Sequence, residues 1–177
     1  MQTFGVQRRR ITMFRAVALP NGVRGRLLLH SMPGRRELLQ SAWAAAKQEG
    51  VKVLVRLAGL AEIRLKSPEY ADALTNGQVP FEVLACEIPD FGVPDDRGAY
   101  CAVAREIAKR LQGGEAVLVH CGAGIGRTGM FAVSVLVALG ESVKSAEKAV
   151  SLAGSCAETD DQKEFVAWCA SQLGIEP

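Results

Sequence analysis

Residues 120–129 read His-Cys-Gly-Ala-Gly-Ile-Gly-Arg-Thr-Gly. They join an apolar strand pattern, Ala116 to His120, to an apolar helix pattern, Thr128 to Leu139. No other stretch constrains the fold as strongly. Glycine weakens helices and strands alike, so a run holding Gly122, Gly124, Gly126 and Gly129 is a turn whose backbone path requires them. A Gly-rich turn that leads from a strand into a helix N-terminus is where backbone N–H groups converge on an anion. The strand before it has no polar alternation, which predicts burial on both faces of a largely parallel sheet.

The remaining pattern alternates strands and helices. Ile11–Leu19 and Arg26–His30 read as short strands around the Asn21-Gly22 turn. Gly34 to Gly50 holds a helix with Leu38, Leu39, Ala42, Trp43 and Ala46 on one face. Val51–Leu57 is a β-branched strand. Ser67-Pro68-Glu69 starts a helix, with serine as cap and proline at its first position, and Asn76-Gly77 ends it. Phe81–Ile88 is a strand, and Pro89 to Pro94 is a loop because Pro89, Gly92 and Pro94 break regular structure. Asp95 or Asp96 caps a helix that runs to about Leu111. Three helices follow at Thr128–Leu139, Val143–Leu152 and Asp160–Leu173. The expectation is a single α/β domain: a central, mostly parallel sheet of four to five strands with helices on both faces. The expected boundaries are a flexible N-terminal arm over residues 1–10 and the folded domain over residues 11–177.

Composition narrows the partners. The 177 residues carry 21 Lys+Arg against 19 Asp+Glu, a net charge of +2, which gives no support for bulk nucleic-acid binding. The cluster Arg8-Arg9-Arg10 reads as a solvated arm. Cys86, Cys101, Cys121, Cys156 and Cys169 are odd in number and lack metal-finger spacing. With His30 and His120 the only histidines, neither a disulfide framework nor zinc is expected. The most apolar run, Met130 to Leu139, falls far short of the roughly 20 residues that cross a bilayer. These features predict a cytoplasmic monomer with no membrane segment and no cofactor.

The loop's chemistry follows from its residue types. A free thiol titrates too high for full ionisation at neutral pH, and converging amides, a helix N-terminus and a guanidinium lower it. Cys121 is placed to receive all three. Gly122, Gly124 and Gly126 let the amides of the loop turn inward, those of Ala123 and Ile125 included. Arg127 offers a planar fork for two phosphoryl oxygens. Thr128 can cap the helix or donate its hydroxyl to the sulfur. A phosphate or sulfate should occupy such a loop. A nucleotide-binding loop fits less well: Gly122 to Thr128 is one residue short of Gly-x-x-x-x-Gly-Lys-Thr, and arginine replaces lysine.

With these residues in view, His-Cys-x-x-Gly-x-x-Arg-Thr-Gly resembles the signature of the cysteine-dependent protein tyrosine phosphatase superfamily at every fixed position. The Ala-Gly-Ile-Gly centre looks most like the compact dual-specificity branch near the Cdc14-type and cyclin-kinase-associated phosphatases. Pro89-Asp90-Phe91-Gly92-Val93-Pro94 resembles the family's acid loop, with Ile88 where many members carry tryptophan. Thr159 to Phe165 resembles its glutamine-bearing segment, which compact members often lack. Ser31-Met32-Pro33-Gly34 resembles an N-terminal element of the compact branch.

The resemblance implies a metal-free hydrolase acting on a phosphorylated protein or peptide. Cys121 would be the nucleophile, Arg127 the phosphate clamp, and Asp90 the acid and then the base. His120 would be a buried support for Cys121. Gln162 would orient water, although Thr159-x-x-Gln162 is equally a helix-capping pattern. Asp95 and Asp96 compete for the acid role and are better explained as helix caps. Glu62 reads as a surface carboxylate, with an approach to Arg127 the alternative. Cys86 reads as core packing, a redox role being the alternative. Phosphotyrosine is the expected substrate, with phosphoserine and phosphothreonine. An inositol-lipid substrate is disfavoured by Gly122, Ala123 and Ile125, which add no basic side chain to the loop. A phosphopeptide-binding pseudophosphatase would have lost the nucleophile or the acid, and both are here.

Overall fold

A computed structural model describes residues 13–172. The expected arm over residues 1–10 lies outside them. The strands are β1 (Arg15–Val17), β2 (Arg26–His30), β3 (Val51–Arg56), β4 (Glu82–Ala85) and β5 (Ala116–His120). They form one sheet in the order β1-β2-β5-β3-β4. Only the β1–β2 pair is antiparallel; every other neighbour is parallel. The helices are α1 (Leu39–Gln48), α2 (Leu60–Lys66), α3 (Pro68–Thr75), α4 (Arg97–Gln112), α5 (Gly126–Ala138), α6 (Val143–Leu152) and α7 (Asp160–Gln172). The domain is α/β, with helices on both faces of the sheet.

Strand register decides which side chain meets which helix layer. Leu27, Val117 and Val53 are aligned neighbours, as are Leu29, Val119 and Val55. All six enter one core with Tyr100, Ile107 and Leu111 of α4 and Met130 and Phe131 of α5. The alternate row, Leu28, Leu118 and Leu54, packs on the opposite face with Leu39 and Trp43 of α1, Ile63 of α2 and Tyr70 of α3. β5 is therefore buried along its whole length, as its unbroken apolar run requires. Because β2, β3, β4 and β5 are parallel, the chain leaves all four at the same edge of the sheet. The segments starting near residues 31, 57, 86 and 121 share one rim, the usual ligand edge of such a sheet.

Several expected elements differ in detail. α1 begins at Leu39, and Leu38 is exposed rather than part of the buried face. β4 is shorter than expected, although Cys86 N and Ile88 N still donate to Arg56 O and Leu57 O at 2.9 Å. Ser67 does not cap α3 with its side chain; it is buried and its hydroxyl donates to Pro33 O at 2.8 Å. Thr128 does not cap α5 either, because that helix starts two residues earlier, at Gly126. α2 has no counterpart in the sequence expectations. It buries only Ile63, it starts from Gly59 without a side-chain cap, and Leu65 faces outward. A seven-residue helix with one apolar anchor has no periodicity to detect. Asp96 does cap α4, accepting from Ala99 N at 2.9 Å.

Candidate active site

β5 ends at His120 and delivers Cys121 to the rim, with its side chain almost fully buried at 2% exposure. The loop then turns at Gly124, where φ is +78°, and enters α5. Any Cβ at Gly124 would collide with the His30 carbonyl, so this position requires glycine on two grounds. Gly124 N donates to Cys121 Sγ at 3.2 Å.

The other amides are oriented indirectly. Arg35 Nη1 donates to Gly122 O at 2.9 Å, and Met32 N donates to it at 3.2 Å. Ser155 Oγ donates to Gly124 O at 2.8 Å, and Arg15 Nη2 donates to the same oxygen. Across a trans peptide the carbonyl and the following N–H point in opposite directions. Fastening those two carbonyls outward turns the amides of Ala123 and Ile125 the other way. No protein acceptor takes these two amides or that of Gly126 among the described residues. The result is a cradle of unpaired N–H groups beside a thiol at a helix N-terminus.

Arg127, also 2% exposed, crosses beneath this cradle. Its Nη1 donates to Glu62 Oε2 at 2.7 Å and to Ile88 O at 3.1 Å. Its Nη2 donates to Glu62 Oε1 at 2.9 Å and lies 2.9 Å from Asp90 Oδ1. Lys66 Nζ reaches Glu62 Oε1 at 2.6 Å and stands 3.8 Å from Asp90 Oδ2. The hydrogen bond from Arg127 holds the Glu62 carboxyl down at about 2, against the opposing effect of its partial burial, and Lys66 adds to the depression. Burial weighs against the Arg127 charge, but the Glu62 hydrogen bond and the nearby Cys121 and Asp90 outweigh it and raise its pKa.

Glu62 is therefore a partner of Arg127 and not a free surface carboxylate. The sequence alone favours the surface reading, because the short helix α2 that carries Glu62 has no periodicity to mark it. The sequence does not mark Lys66, one helical turn later, for the same reason.

Behind the cradle, His120 is completely buried. Its Nδ1 lies 3.1 Å from Cys121 O, an acceptor only, so Nδ1 carries the proton. Nε2 then accepts from Tyr70 OH at 2.8 Å. Burial pushes the His120 pKa down to about 4, and the imidazole is neutral. It supports the strand end and does not face the cavity.

The acid-loop candidate Asp90 stands on the rim, half exposed, next to Phe91, which has φ +59° and is the one positive-φ non-glycine among the described residues. Gln162 is fully buried. Its backbone N donates to Thr159 Oγ1 at 3.2 Å, its Oε1 accepts from Glu158 N, and its Nε2 donates to Gly92 O at 3.0 Å. The Thr159 side chain thus caps α7, and the Gln162 side chain ties that helix to the loop over 89–94. Thr128 Oγ1 is buried with no protein partner.

Cys121, Arg127, Asp90, Lys66 and Arg35 line one cavity of about 200 Å³, with Ala123, Gly126, Phe91 and Glu158 on its walls. Cys86 lies in the core away from it, and burial raises its thiol to about 11. Such a cavity can hold a tetrahedral oxyanion on the amides and the guanidinium, with a thiol beneath it and a carboxyl beside it.

The chain is similar to several known proteins. A family model described as "Tc-R-P: Polymorphic toxin system, DSP-PTPase phosphatase" matches residues 30–141. Tyrosine-protein phosphatase 1 of Caenorhabditis elegans is 49% identical over 43 residues, 24% of this chain and 4% of that protein. The kinase-associated phosphatase KAP, with its catalytic cysteine replaced by serine, superposes with a TM-score of 0.76 over 93% of this chain and 97% of that one, at 19% identity. Tk-PTP in its active form superposes with a TM-score of 0.68 over 89% and 97% of the two chains, at 25% identity. No helix among the described residues is long and apolar enough to cross a membrane.

Proposed function

The chain belongs to the DSP-PTPase phosphatase family of polymorphic toxin systems, and we propose that it hydrolyses phosphomonoesters on protein side chains, phosphotyrosine together with phosphoserine and phosphothreonine. The observation that carries this reading is the convergence of Cys121 Sγ, the unpaired loop amides and the Arg127 guanidinium on one cavity with Asp90 at its rim.

The steps follow from that geometry. The phosphoryl group enters as an anion and settles on the amides of Ala123, Ile125 and Gly126. Without substrate, Arg127 Nη2 donates to Glu62 Oε1 and forms an ion pair with Asp90 Oδ1 at 2.9 Å. A phosphoryl oxygen that binds Nη2 takes the place of the Asp90 carboxylate, while the Glu62 pair keeps the guanidinium in plane. Asp90 is thereby released towards the leaving oxygen. The Cys121 thiolate attacks phosphorus, the phosphorus–oxygen ester bond breaks, and Asp90, which takes up a proton from solvent once it has left Arg127, gives that proton to the departing oxygen. Amides and Arg127 hold the equatorial oxygens as charge builds on them.

Water then attacks the cysteinyl-phosphate, Asp90 takes a proton from it, and phosphate leaves Cys121. The Thr128 hydroxyl, buried without a partner, is free to donate to the sulfur as it departs. Gln162 acts in this scheme through the acid loop, which it holds by Gly92 O. The chain's balanced charge supports action without nucleic acid or an anionic membrane surface as a partner, and its five free cysteines support a cytoplasmic setting.

The test pairs two variants. Cys121→Ser should lose turnover yet retain phosphopeptide binding by calorimetry, because the anion cradle is intact. Arg127→Ala should lose both, since it removes charge-assisted hydrogen bonds worth about 1.5–3 kcal/mol each. A Cys121→Ser variant with a near-normal rate removes the nucleophile and the proposal with it.

A further inference from the structure

The charges around the cavity do not all cancel locally. Arg127 and Lys66 share Glu62 and Asp90, so that group of four is neutral. Two more charged groups line the same cavity, Arg35 and Glu158. Both are exposed, and neither has an opposite charge within ion-pair distance among the described residues. They stand at opposite ends of the loop. Arg35 is fastened to the carbonyl of Gly122, on the side where Lys66 also stands. Glu158 lies against the Cα of Gly126, where a Cβ would meet its carboxylate.

Resting on the phosphatase reading, we infer that this polarity selects the substrate: a phosphopeptide with an acidic side chain on the Arg35 side of the phosphorylated residue, and a basic or neutral one on the Glu158 side. Arg35 is suited to this recognition because one of its nitrogens is already bonded to Gly122 O. Its guanidinium is held in place, so little side-chain freedom is lost when the remaining N–H groups take a carboxylate. An acidic side chain on the Glu158 side meets a like charge instead, and that repulsion fixes the direction in which the peptide lies.

The experiment measures kcat/KM on phosphotyrosine peptides that carry Glu, Gln or Lys at positions before or after the phosphorylated residue. Wild-type protein should prefer Glu over Lys on one side by about 3- to 10-fold, the size of one partly desolvated rim ion pair, and the reverse on the other side. Arg35→Glu should invert the first preference alone, and Glu158→Lys the second alone. Arg35 also braces Gly122 O, so the ratio between peptides within each variant is the readout, not the absolute rate. If Arg35→Glu does not fold, the Glu158→Lys arm and the collapse of the wild-type preferences at about 0.5 M salt carry the test.

Equal rates on all flanking residues, or preferences unmoved by both charge reversals, overturn the inference while leaving turnover intact. Absence of turnover on every peptide and on nitrophenyl phosphate overturns the phosphatase reading and this inference together. Faster, Arg35-dependent turnover of a doubly phosphorylated inositol lipid in phosphatidylcholine vesicles than of the best peptide would reassign the Arg35 site from a peptide carboxylate to a second phosphate.

Discussion

Replacing Glu62 by Gln separates a positioning role from simple electrostatics. The two hydrogen bonds of 2.7 and 2.9 Å fix the plane of a guanidinium that is 2% exposed, and the same carboxylate holds Lys66 at 2.6 Å. An amide of the same shape keeps one acceptor but turns an NH2 group towards one of these cations. The group of four then carries an uncompensated positive charge.

Two opposing effects follow. Removing a carboxylate strengthens the attraction of the cavity for a phosphate dianion, which lowers KM. Releasing the guanidinium plane costs the alignment of Arg127 with the equatorial oxygens, and a misplacement of about 1 Å costs about 10²-fold in rate. The expected result is kcat down about 10²-fold with KM unchanged or lower, measured on nitrophenyl phosphate and on a phosphopeptide.

Stability should fall as well. The Glu62 carboxyl titrates at about 2 in the folded chain against an ordinary 4.5. At about 1.4 kcal/mol per decade that is at most about 3 kcal/mol, and solvent screening at this partly open site brings it to about 1–2 kcal/mol. The sign is that of a depressed carboxylate. The stabilisation is complete above pH 4.5 and disappears as the pH falls towards 2. Urea unfolding at pH 7 should show the difference between wild type and variant, and the difference should close in acid. A Glu62→Gln protein with kcat equal to or above wild type would falsify the positioning role and leave Glu62 a mere competitor for Arg127.

Asp90→Asn should slow hydrolysis of phosphoserine peptides about 10²-fold or more and that of nitrophenyl phosphate much less, because a weakly basic leaving group needs less help from a proton donor. Asp96→Asn, which alters the α4 cap, should show no such leaving-group dependence and lose at most about 0.5–2 kcal/mol of stability; the opposite pattern would move the acid to Asp96. For His120 the folded pKa lies near 4, below the ordinary 6.5, so the unfolded chain takes up the proton first as pH falls. Its contribution to stability is whole above pH 6.5 and should decline by about 2–3 kcal/mol towards pH 4. Unfolding curves of wild type and His120→Asn at several pH values should differ by that slope, and parallel curves would refute the buried neutral assignment. Gly124→Ala should cost several kcal/mol by thermal unfolding and abolish turnover, since the new methyl meets the His30 carbonyl and φ is +78°; a stable, active Gly124→Ala chain would show that the turn has another path.

What was legible in the sequence was what local chemistry dictates. The glycine spacing of 122–129 marks a turn between strand and helix, the proline and glycine of 89–94 mark a loop, and Asp95 or Asp96 marks a helix start. Those signals act over a few residues; the turn is shorter than the glycine run, because α5 already begins at Gly126 and includes Gly129, and Asp96 is the residue that caps α4. The buried β5 followed from an apolar run without alternation, and the parallel sheet from the alternation of strands and helices. The family signature covers the same contiguous stretch, because its cradle is built by one turn of chain.

Tertiary structure decided the partnerships. Glu62 meets Arg127 across 65 residues only because β3 and β5 run parallel and in register, so that the chain beyond Arg56 and the chain beyond His120 emerge side by side. The helix that carries Glu62 and Lys66 is held by Ile63, by the partly buried Leu60, by the Glu62–Arg127 pair and by the α3 helix after it, with no periodicity of its own. Tyr70 reaches His120, Ser155 and Arg15 reach Gly124 O, and Arg35 reaches Gly122 O in the same non-local way. Thr128 and Ser67 show the converse. Both have the composition of helix caps, yet packing buries one in the first turn of α5 and turns the other to Pro33. Backbone preference is a property of neighbours along the chain and can be read there, whereas a hydrogen bond between distant side chains exists only once strand order and register have brought their backbones together.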